Sequence, residues 1–468
     1  MEIQWKPIIE RDSEPLIIFQ IANGRKFYPE ILELKFKPQR IKYENKMYYF
    51  DLNEMIEEYK SIKQKYESTP DYFDIIKSKI IKMGVEFVKL SKDIGSNLEN
   101  KDNNALLEAF LVYDEYLQKY AVFAWATQSI EKILTERIKE ELKNSFPEKT
   151  DEELDRLFSI LTLSIKESTV MQEYKTLLKI AAEPEEKRDI EKICEKFFWL
   201  GAISVGWTYT KEPYDINHYK IVISDLAKLN PIEKLSEVLQ KDNERQKEYS
   251  ELIKEIKISE QLIKDTKLLS EYISLRTERG EYITHSMVYA KEILKEISKR
   301  FKIKFEDIIY FLPSEIIELI QEGHVPNFQP RKNGFNILID GEKVNITPSL
   351  TKQNIYTKER VVKGNIACRG RAEGLVRIIV DLKDISKVQS GDVLVTKMTS
   401  PDMIMAIHKA AAIVTDEGGI SCHAAIISRE FGVPCIVGTR NATHVLKDGD
   451  FVKVNAENGS VTIIESKS

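Results

Sequence analysis

Thr415-Asp-Glu-Gly-Gly-Ile-Ser-Cys-His-Ala-Ala-Ile-Ile-Ser-Arg-Glu-Phe-Gly-Val-Pro-Cys-Ile-Val-Gly-Thr439 is the stretch on which the reading of this 468-residue chain turns. It is entered through Ala411-Ala-Ile-Val-Thr415, a short apolar, β-branched run that predicts a buried strand. Gly418-Gly419 then allows backbone angles closed to other residues. Ser421 is placed as an N-cap, and Ala425, Ile426 and Ile427 give an apolar face to a helix over Cys422 to Phe431. Gly432 stands where a glycine ends a helix and Pro434 follows as a stop. Cys435-Ile-Val437 is the next buried strand. The order is strand, glycine turn, short helix, strand.

His423 falls in the first helical turn, where free backbone N–H groups and the positive end of the helix dipole converge. Such a terminus binds anions. Its field disfavours the imidazolium and so favours the neutral, nucleophilic ring. A neutral imidazole can attack phosphorus while the amides hold the added charge. The same residues also fit an ordinary helix-cap or half-buried histidine, and local physics leaves both readings open.

Residues 415–439 closely resemble the phosphohistidine motif of the phosphoenolpyruvate-utilising enzymes, which include phosphoenolpyruvate synthase, pyruvate phosphate dikinase and rifampicin phosphotransferase. The likeness runs through Gly418, Gly419, the Ser421-Cys422-His423-Ala424-Ala425 core, Arg429-Glu430, Gly432, Pro434 and Gly438, with Cys422 closer to the synthase branch. It implies that His423 is phosphorylated in catalysis and that Gly418, Gly419, Ser421 and Cys422 line the phosphoryl group. Arg429 either contacts phosphate or makes a structural ion pair. The likeness extends from about Ile366 to Ile464. Gly370 to Gly374 and Val376 to Val380 resemble that domain's opening turn and strand, and Thr399-Ser-Pro-Asp-Met403 its loop before a helix over Ile404 to Ala410. Gly391 to Val395 resembles a further strand, and Asp448 to Asp450, Val452 to Val454 and Asn458-Gly459 its closing hairpin. The implied fold is a swivelling β/β/α domain that moves on a linker between two active sites.

Composition narrows the surroundings. Charge is high but nearly balanced at −5, with no basic cluster interleaved with aromatics, so neither a nucleic-acid nor a membrane partner is expected. No apolar run is long enough to span a bilayer, and Met1-Glu-Ile-Gln-Trp-Lys6 is unlike a signal peptide. Cys194, Cys368, Cys422 and Cys435 lack metal-site spacing and read as reduced thiols of a cytoplasmic protein; no metal site is expected. Beside His423, Cys422 is either an activated thiol or a small residue needed for packing.

The expected fold class is multidomain: a mainly α-helical N-terminal domain and a C-terminal α/β domain of the swivelling β/β/α type. The boundaries are 1–323, 324–363 as linker or hinge, and 364–468. Within 1–55, Pro15 to Ile21 and Lys42 to Phe50 read as short strands. From Asn53 to about Ile320 the pattern is helical. One long helix is placed over Asn104 to Lys143, with Leu107, Phe110, Leu111, Tyr116, Leu117, Tyr120 and Phe123 on its apolar side. A capping box is placed at Thr150-Asp-Glu-Glu153, and helices over Asn217 to Leu239 and Glu244 to Tyr289. The linker, rich in Pro, Gly and Asn, holds a small hairpin at Phe335 to Ile346 turning on Asp340-Gly341.

Two features inside the helical region bear on an acceptor. The aromatic segment Lys196 to Tyr209, with Trp199 and Trp207, either lines a small-molecule pocket or is plain core. Arg276 and Arg279 are three apart on one helix and either clamp an anion or pair with Glu278 and Glu281. Both stretches resemble the helical middle domain of rifampicin-phosphotransferase-like members.

The phosphohistidine needs a high-energy donor, which in the family is phosphoenolpyruvate on a TIM barrel or ATP on an ATP-grasp domain. No barrel is expected after residue 468, and the helical region shows neither the ATP-grasp strand pattern nor a Walker-type loop. The expectation is therefore a phosphotransferase component that receives its phosphoryl from a separate ATP-grasp or phosphoenolpyruvate-binding subunit and passes it to a small-molecule acceptor. Magnesium is expected with ATP or phosphoenolpyruvate at that donor site. Two other readings stand beside it: a non-catalytic binding or regulatory protein that keeps the domain as a scaffold, and a self-sufficient kinase with its own nucleotide site.

Overall fold

The computed structural model describes residues 3–11, 13–162, 166–203, 207–256, 258–349, 361–380, 382–400, 403–419 and 422–466. The chain divides into two compact units. The first comprises 1–141, 202–212 and 278–353; the second comprises 142–201, 213–277 and 354–468. The division cuts through the segment 1–323, and 142–201 and 213–277 group with the C-terminal sheet.

In the first unit, strands β1 (Trp5–Glu10), β2 (Arg40–Glu44), β3 (Met47–Asp51), β4 (Phe335–Asp340) and β5 (Lys343–Pro348) form an antiparallel sheet in the order β1-β3-β2-β4-β5. The β2–β3 hairpin turns on Asn45 and Lys46, both at positive φ, as a two-residue hairpin loop requires. The β4–β5 hairpin forms at Gly341 as the sequence suggests, and it pairs with β2 as a full member of the sheet. Of the expected hinge, 335–348 are thus strands here, and 350–360 lie outside the described residues.

Pro15–Asn23 is a helix, which corrects the strand expected at Pro15 to Ile21. Proline sits at its first position, where its fixed φ suits a helix. Its residues Leu16, Ile17, Ile18 and Ile21 are all buried, so no polar side shows in the sequence and periodicity cannot separate helix from strand. The long helix runs Asn103–Ser145. Its core stripe is Leu106, Phe110, Tyr113, Leu117 and Tyr120, whereas Leu111, expected inside, is 41% exposed.

The helices of the second unit include Asp151–Leu161, Thr169–Ala181, Ile190–Phe197, Ile216–Ala227 and Pro231–Glu255. The capping box forms as read: Thr150 N–H donates to Glu153 at 2.8 Å and Glu153 N–H to Thr150 Oγ1 at 3.3 Å. The helix expected over Asn217 to Leu239 is two helices. Asn230 takes a left-handed conformation and Pro231, with no N–H to give, begins a new helix.

The sheet of this unit has eight strands: β6 (Val361–Lys363), β7 (Asn365–Cys368), β8 (Arg371–Ile379), β9 (Val393–Thr396), β10 (Ala412–Thr415), β11 (Cys435–Val437), β12 (Phe451–Asn455) and β13 (Ser460–Glu465). Their order is β6-β13-β12-β8-β9-β10-β11-β7, with β8 to β11 parallel and the other pairings antiparallel. The two end strands are consecutive in sequence, separated by Gly364 alone. One extended segment therefore pairs with β13 through its first half and with β11 through its second, and the sheet closes on itself. Gly364 N–H donates to Gly459 O at 2.9 Å at this seam. A Cβ on Gly364 would lie 2.7 Å from Val437 O, so glycine is needed there. Val376, Val393, Val395, Val414, Ile436, Val452, Val454 and Val461 fill the interior, each at most 2% exposed. The molecule is thus multidomain, with a helical N-terminal region and a C-terminal sheet domain. Among the described residues no helix is long and apolar enough to cross a membrane.

Candidate functional site

The site is built where β10 ends. Thr415 Oγ1 donates to Glu417 O at 2.6 Å, and Asp416 Oδ1 accepts from Thr443 N–H at 3.0 Å and Thr439 Oγ1 at 3.2 Å. Glu417 N–H reaches Lys397 O at 3.0 Å. These bonds fix the turn that follows. Gly418 has φ +114°, and a Cβ there would lie 2.6 Å from Cys422 Sγ. Gly419 has open space where a side chain would be, and its carbonyl accepts from Cys422 N–H at 3.0 Å. Ser421, expected as N-cap and phosphate ligand, lies outside the described residues. Cys422 holds the N-cap position with extended backbone, so the helix begins one residue later than expected, at His423, and runs to Phe431. Gly432 ends it at φ 64°, ψ 35°, and Val433 N–H closes back on Ser428 O at 2.9 Å.

His423 is the first residue of that helix. Its Nδ1 and Thr399 Oγ1 are 2.8 Å apart. Its Nε2 is buried and has no hydrogen-bond partner among the described residues. Burial lowers the ring's pKa from 6.5 to about 4, so the ring is neutral at neutral pH. An unshared, desolvated nitrogen with its opposite nitrogen tethered is an oriented nucleophile.

The depressed pKa has a consequence for stability. Between about 6.5 and about 4 the unfolded chain binds a proton at His423 that the native chain does not. Stability is undiminished above the upper value and falls as pH drops toward the lower one. His408, in the same unit, is lowered to about 4 as well, by burial and then by Lys234, Lys241 and Lys409. Urea unfolding of the wild type at about pH 5 is expected to show a lower midpoint than at about pH 7, and His423→Gln is expected to lessen that difference.

Around the ring, Cys422 is half-buried, and burial raises its thiol pKa. That places it with the packing residues and against an activated thiolate. Arg429 donates from Nε to Ala367 O at 2.8 Å, and the thiols of Cys368, Cys422 and Cys435 lie within its electrostatic reach. The residues of the expected acceptor pocket fall in different units. Trp199, 7% exposed, and Arg276 belong to the second, and Arg276 lowers the Cys422 thiol pKa against the effect of burial. Trp207 and Arg279 belong to the first. There Trp207 Nε1 donates to Gly280 O at 3.3 Å, and the Arg279 guanidinium donates to Phe123 O and Thr127 Oγ1.

Thr399 is the site residue that sequence reasoning left unassigned. Its local sequence marks only a loop, and its partner lies 24 positions away. Asp416 and Thr443 escaped for the same reason.

Residues 388–459 match the model of the PEP-utilising enzyme mobile domain. The C-terminal region belongs to that family. Over 107 residues the chain is 50% identical to a probable phosphoenolpyruvate synthase of Methanothermobacter thermautotrophicus, covering 23% of this chain and 16% of that one. Over 101 residues it is 59% identical to the probable phosphoenolpyruvate synthase of Archaeoglobus fulgidus, covering 22% and 13%. An uncharacterised phosphotransferase of Bacillus subtilis, YvkC, is 46% identical over 106 residues, covering 23% and 13%. The chain thus spans less than a fifth of the length of these relatives.

Proposed function

We propose that this chain is the phosphotransfer component of a phosphoenolpyruvate synthase/dikinase-like system, carrying a phosphoryl group on His423 between a donor and a small-molecule acceptor. The observation that carries the reading is the His423 imidazole itself: first in its helix, tethered at Nδ1 by Thr399, and without a hydrogen-bond partner at Nε2 among the described residues. The tautomer that suits this geometry has its proton on Nδ1, donated to Thr399 Oγ1. The Nε2 lone pair attacks phosphorus, an N–P bond forms as the P–O bond to the leaving group breaks, and the leaving oxygen keeps that electron pair. An acceptor then attacks phosphorus, the N–P bond breaks, and Nε2 regains its lone pair while the acceptor's proton passes to solvent. The amides of the first helical turn stabilise the charge of the bound group. The names of the relatives support phosphoryl transfer of this type. In this reading the donor, ATP or phosphoenolpyruvate with magnesium, binds a separate ATP-grasp or phosphoenolpyruvate-binding protein.

The test is phosphoryl labelling of the purified chain with labelled ATP or labelled phosphoenolpyruvate, each with and without an extract of the source cells. Acid-labile, alkali-stable label that needs the extract supports a carrier served by another protein. Label without extract moves the donor site onto this chain. No label from any mixture, on folded protein with active extract, overturns the reading in favour of a binding or regulatory role.

Thr399 gives a sharper expectation. Thr399→Val keeps the side-chain volume and removes the oxygen that fixes Nδ1. The labelling rate is expected to fall about 10- to 100-fold, while Thr399→Ser retains most of it. Equal loss in both variants would assign Thr399 to packing alone.

A further inference from the structure

Three of the four cysteines gather around Arg429 of the His423–Phe431 helix, and two of these face each other across a strand pair. Cys368, last in β7, and Cys435, first in β11, are direct partners in the antiparallel register. Residues directly opposite in such a pair have Cα atoms about 4.5–5.5 Å apart and side chains on one face. That spacing falls within the range of about 4.4–6.8 Å that a disulfide spans. Both thiols are free in the structure. Their common face lies against the helix: Cys435 Sγ is 4.0 Å from Ala424 O, and the Cys368 thiol is within electrostatic reach of Arg429.

The ladder is loosened at this point. Register passes from Cys435–Cys368 to Ile436–Ile366, so Ala367 is the extra residue of a β-bulge. Its carbonyl is taken by Arg429 Nε at 2.8 Å. A bulge bends the strand locally, and the small approach of two sulfurs that a bond requires can be taken up there. The two thiols also differ in access. Cys435 is 0% exposed, whereas Cys368 is half-buried. Burial raises the Cys368 pKa, while Arg429, Arg245 and Lys241 act the other way and favour its thiolate. One sulfur can meet a small oxidant, and the other can resolve what forms.

We propose that Cys368 and Cys435 are a reversible oxidation site, at which a hydroperoxide closes a disulfide between β7 and β11. With hydrogen peroxide, the Cys368 thiolate attacks one oxygen. An S–O bond forms, the O–O bond breaks, and the leaving hydroxide takes a proton to become water. The Cys435 sulfur then attacks the sulfenic sulfur. The S–S bond forms, the S–O bond breaks, and the departing hydroxide leaves as water with the Cys435 proton. Two thiols are oxidised by two electrons, and one peroxide is reduced to two waters. The bond encloses residues 369–434, and with them the turn and helix of His423, in one covalent loop. Such a loop constrains the unfolded chain and so stabilises the folded one. The inference is independent of the carrier reading of His423, and absence of phosphoryl label leaves it untouched.

The experiment treats the folded full chain with hydrogen peroxide, blocks remaining thiols with an alkylating agent, and maps peptides by mass spectrometry without reduction. The expected product joins the Cys368 and Cys435 peptides with loss of two hydrogens, and dithiothreitol separates them. The oxidised chain is expected to unfold at a higher urea concentration than the reduced one. Cys368→Ser is expected to slow loss of the Cys435 thiol at least about tenfold and to abolish the shift in midpoint, while Cys422→Ala keeps the linked product. A link from Cys435 to Cys422 would overturn the proposal. So would sulfinic or sulfonic acid at Cys368 beside an unlinked Cys435, or a Cys368–Cys435 link that forms only in urea.

Discussion

His423→Ala abolishes the acid-labile phosphoryl label, a loss of at least about a thousandfold in labelling rate, and leaves the chain folded. The expectation follows from how little else the geometry offers. Among the described residues Nε2 is a buried nitrogen with no hydrogen-bond partner, and burial raises the pKa of the adjacent thiol, Cys422. Removing the ring costs packing, but it also removes a polar atom that burial has stripped of water without giving it a partner. The two effects oppose each other, so the stability change is expected within about 1 kcal/mol. Label per mole of chain and the urea midpoint, measured on one preparation, decide the matter. Undiminished label of the same acid lability on the variant would place the phosphoryl group elsewhere.

The largest stability effect is expected at Gly438, which joins the frame of the sheet to the turn before His423. Gly438 has φ +69°, and a Cβ there would stand 2.6 Å from the carbonyl oxygen of Gly418. A backbone atom cannot rotate aside as a side chain can. Gly438→Ala must therefore shift the Gly418 turn or β11, and is expected to cost about 2–4 kcal/mol. Gly391→Ala is the control. It shares a positive φ, +90°, but has nothing within 4 Å of the added carbon, so only the backbone strain of about 1–2 kcal/mol remains. Urea midpoints for the two variants should differ accordingly. In Gly438→Ala the labelling rate should fall even where the protein is fully folded, because the moved turn carries Cys422 and His423 with it.

Where the sequence was legible, short-range rules sufficed. The Thr150 capping box, the Gly432 stop, the β12–β13 and β4–β5 hairpins and the helix bearing His423 are set by residues within a few positions of one another. Where it was not, the deciding partner was distant or the local signal was symmetric. Pro15–Asn23 is buried on all sides, so its apolar run carried no period. Arg276 and Arg279 have the spacing of an anion clamp, yet Arg279 faces the carbonyl of Phe123, 156 residues away. Thr399 reaches His423 only because β9 and β10 lie side by side in parallel. Nothing in its own neighbourhood marks it. A motif read from sequence therefore pointed to His423 and left out Thr399, which lies 2.8 Å from its Nδ1.

The seam at Gly364 also bears on how this sheet domain can be cut from its chain. Every β-sheet that ends in an open strand presents a row of unpaired amides and carbonyls to whatever extended chain comes by. Here residues 361–368 cover the two flanks at once, pairing with β13 and with β11. A fragment that begins at 361 keeps both flanks covered. One that begins at 369, although it retains the entire motif around His423, uncovers both together. Eight residues far from the motif in sequence thus separate a self-contained module from a template for aggregation.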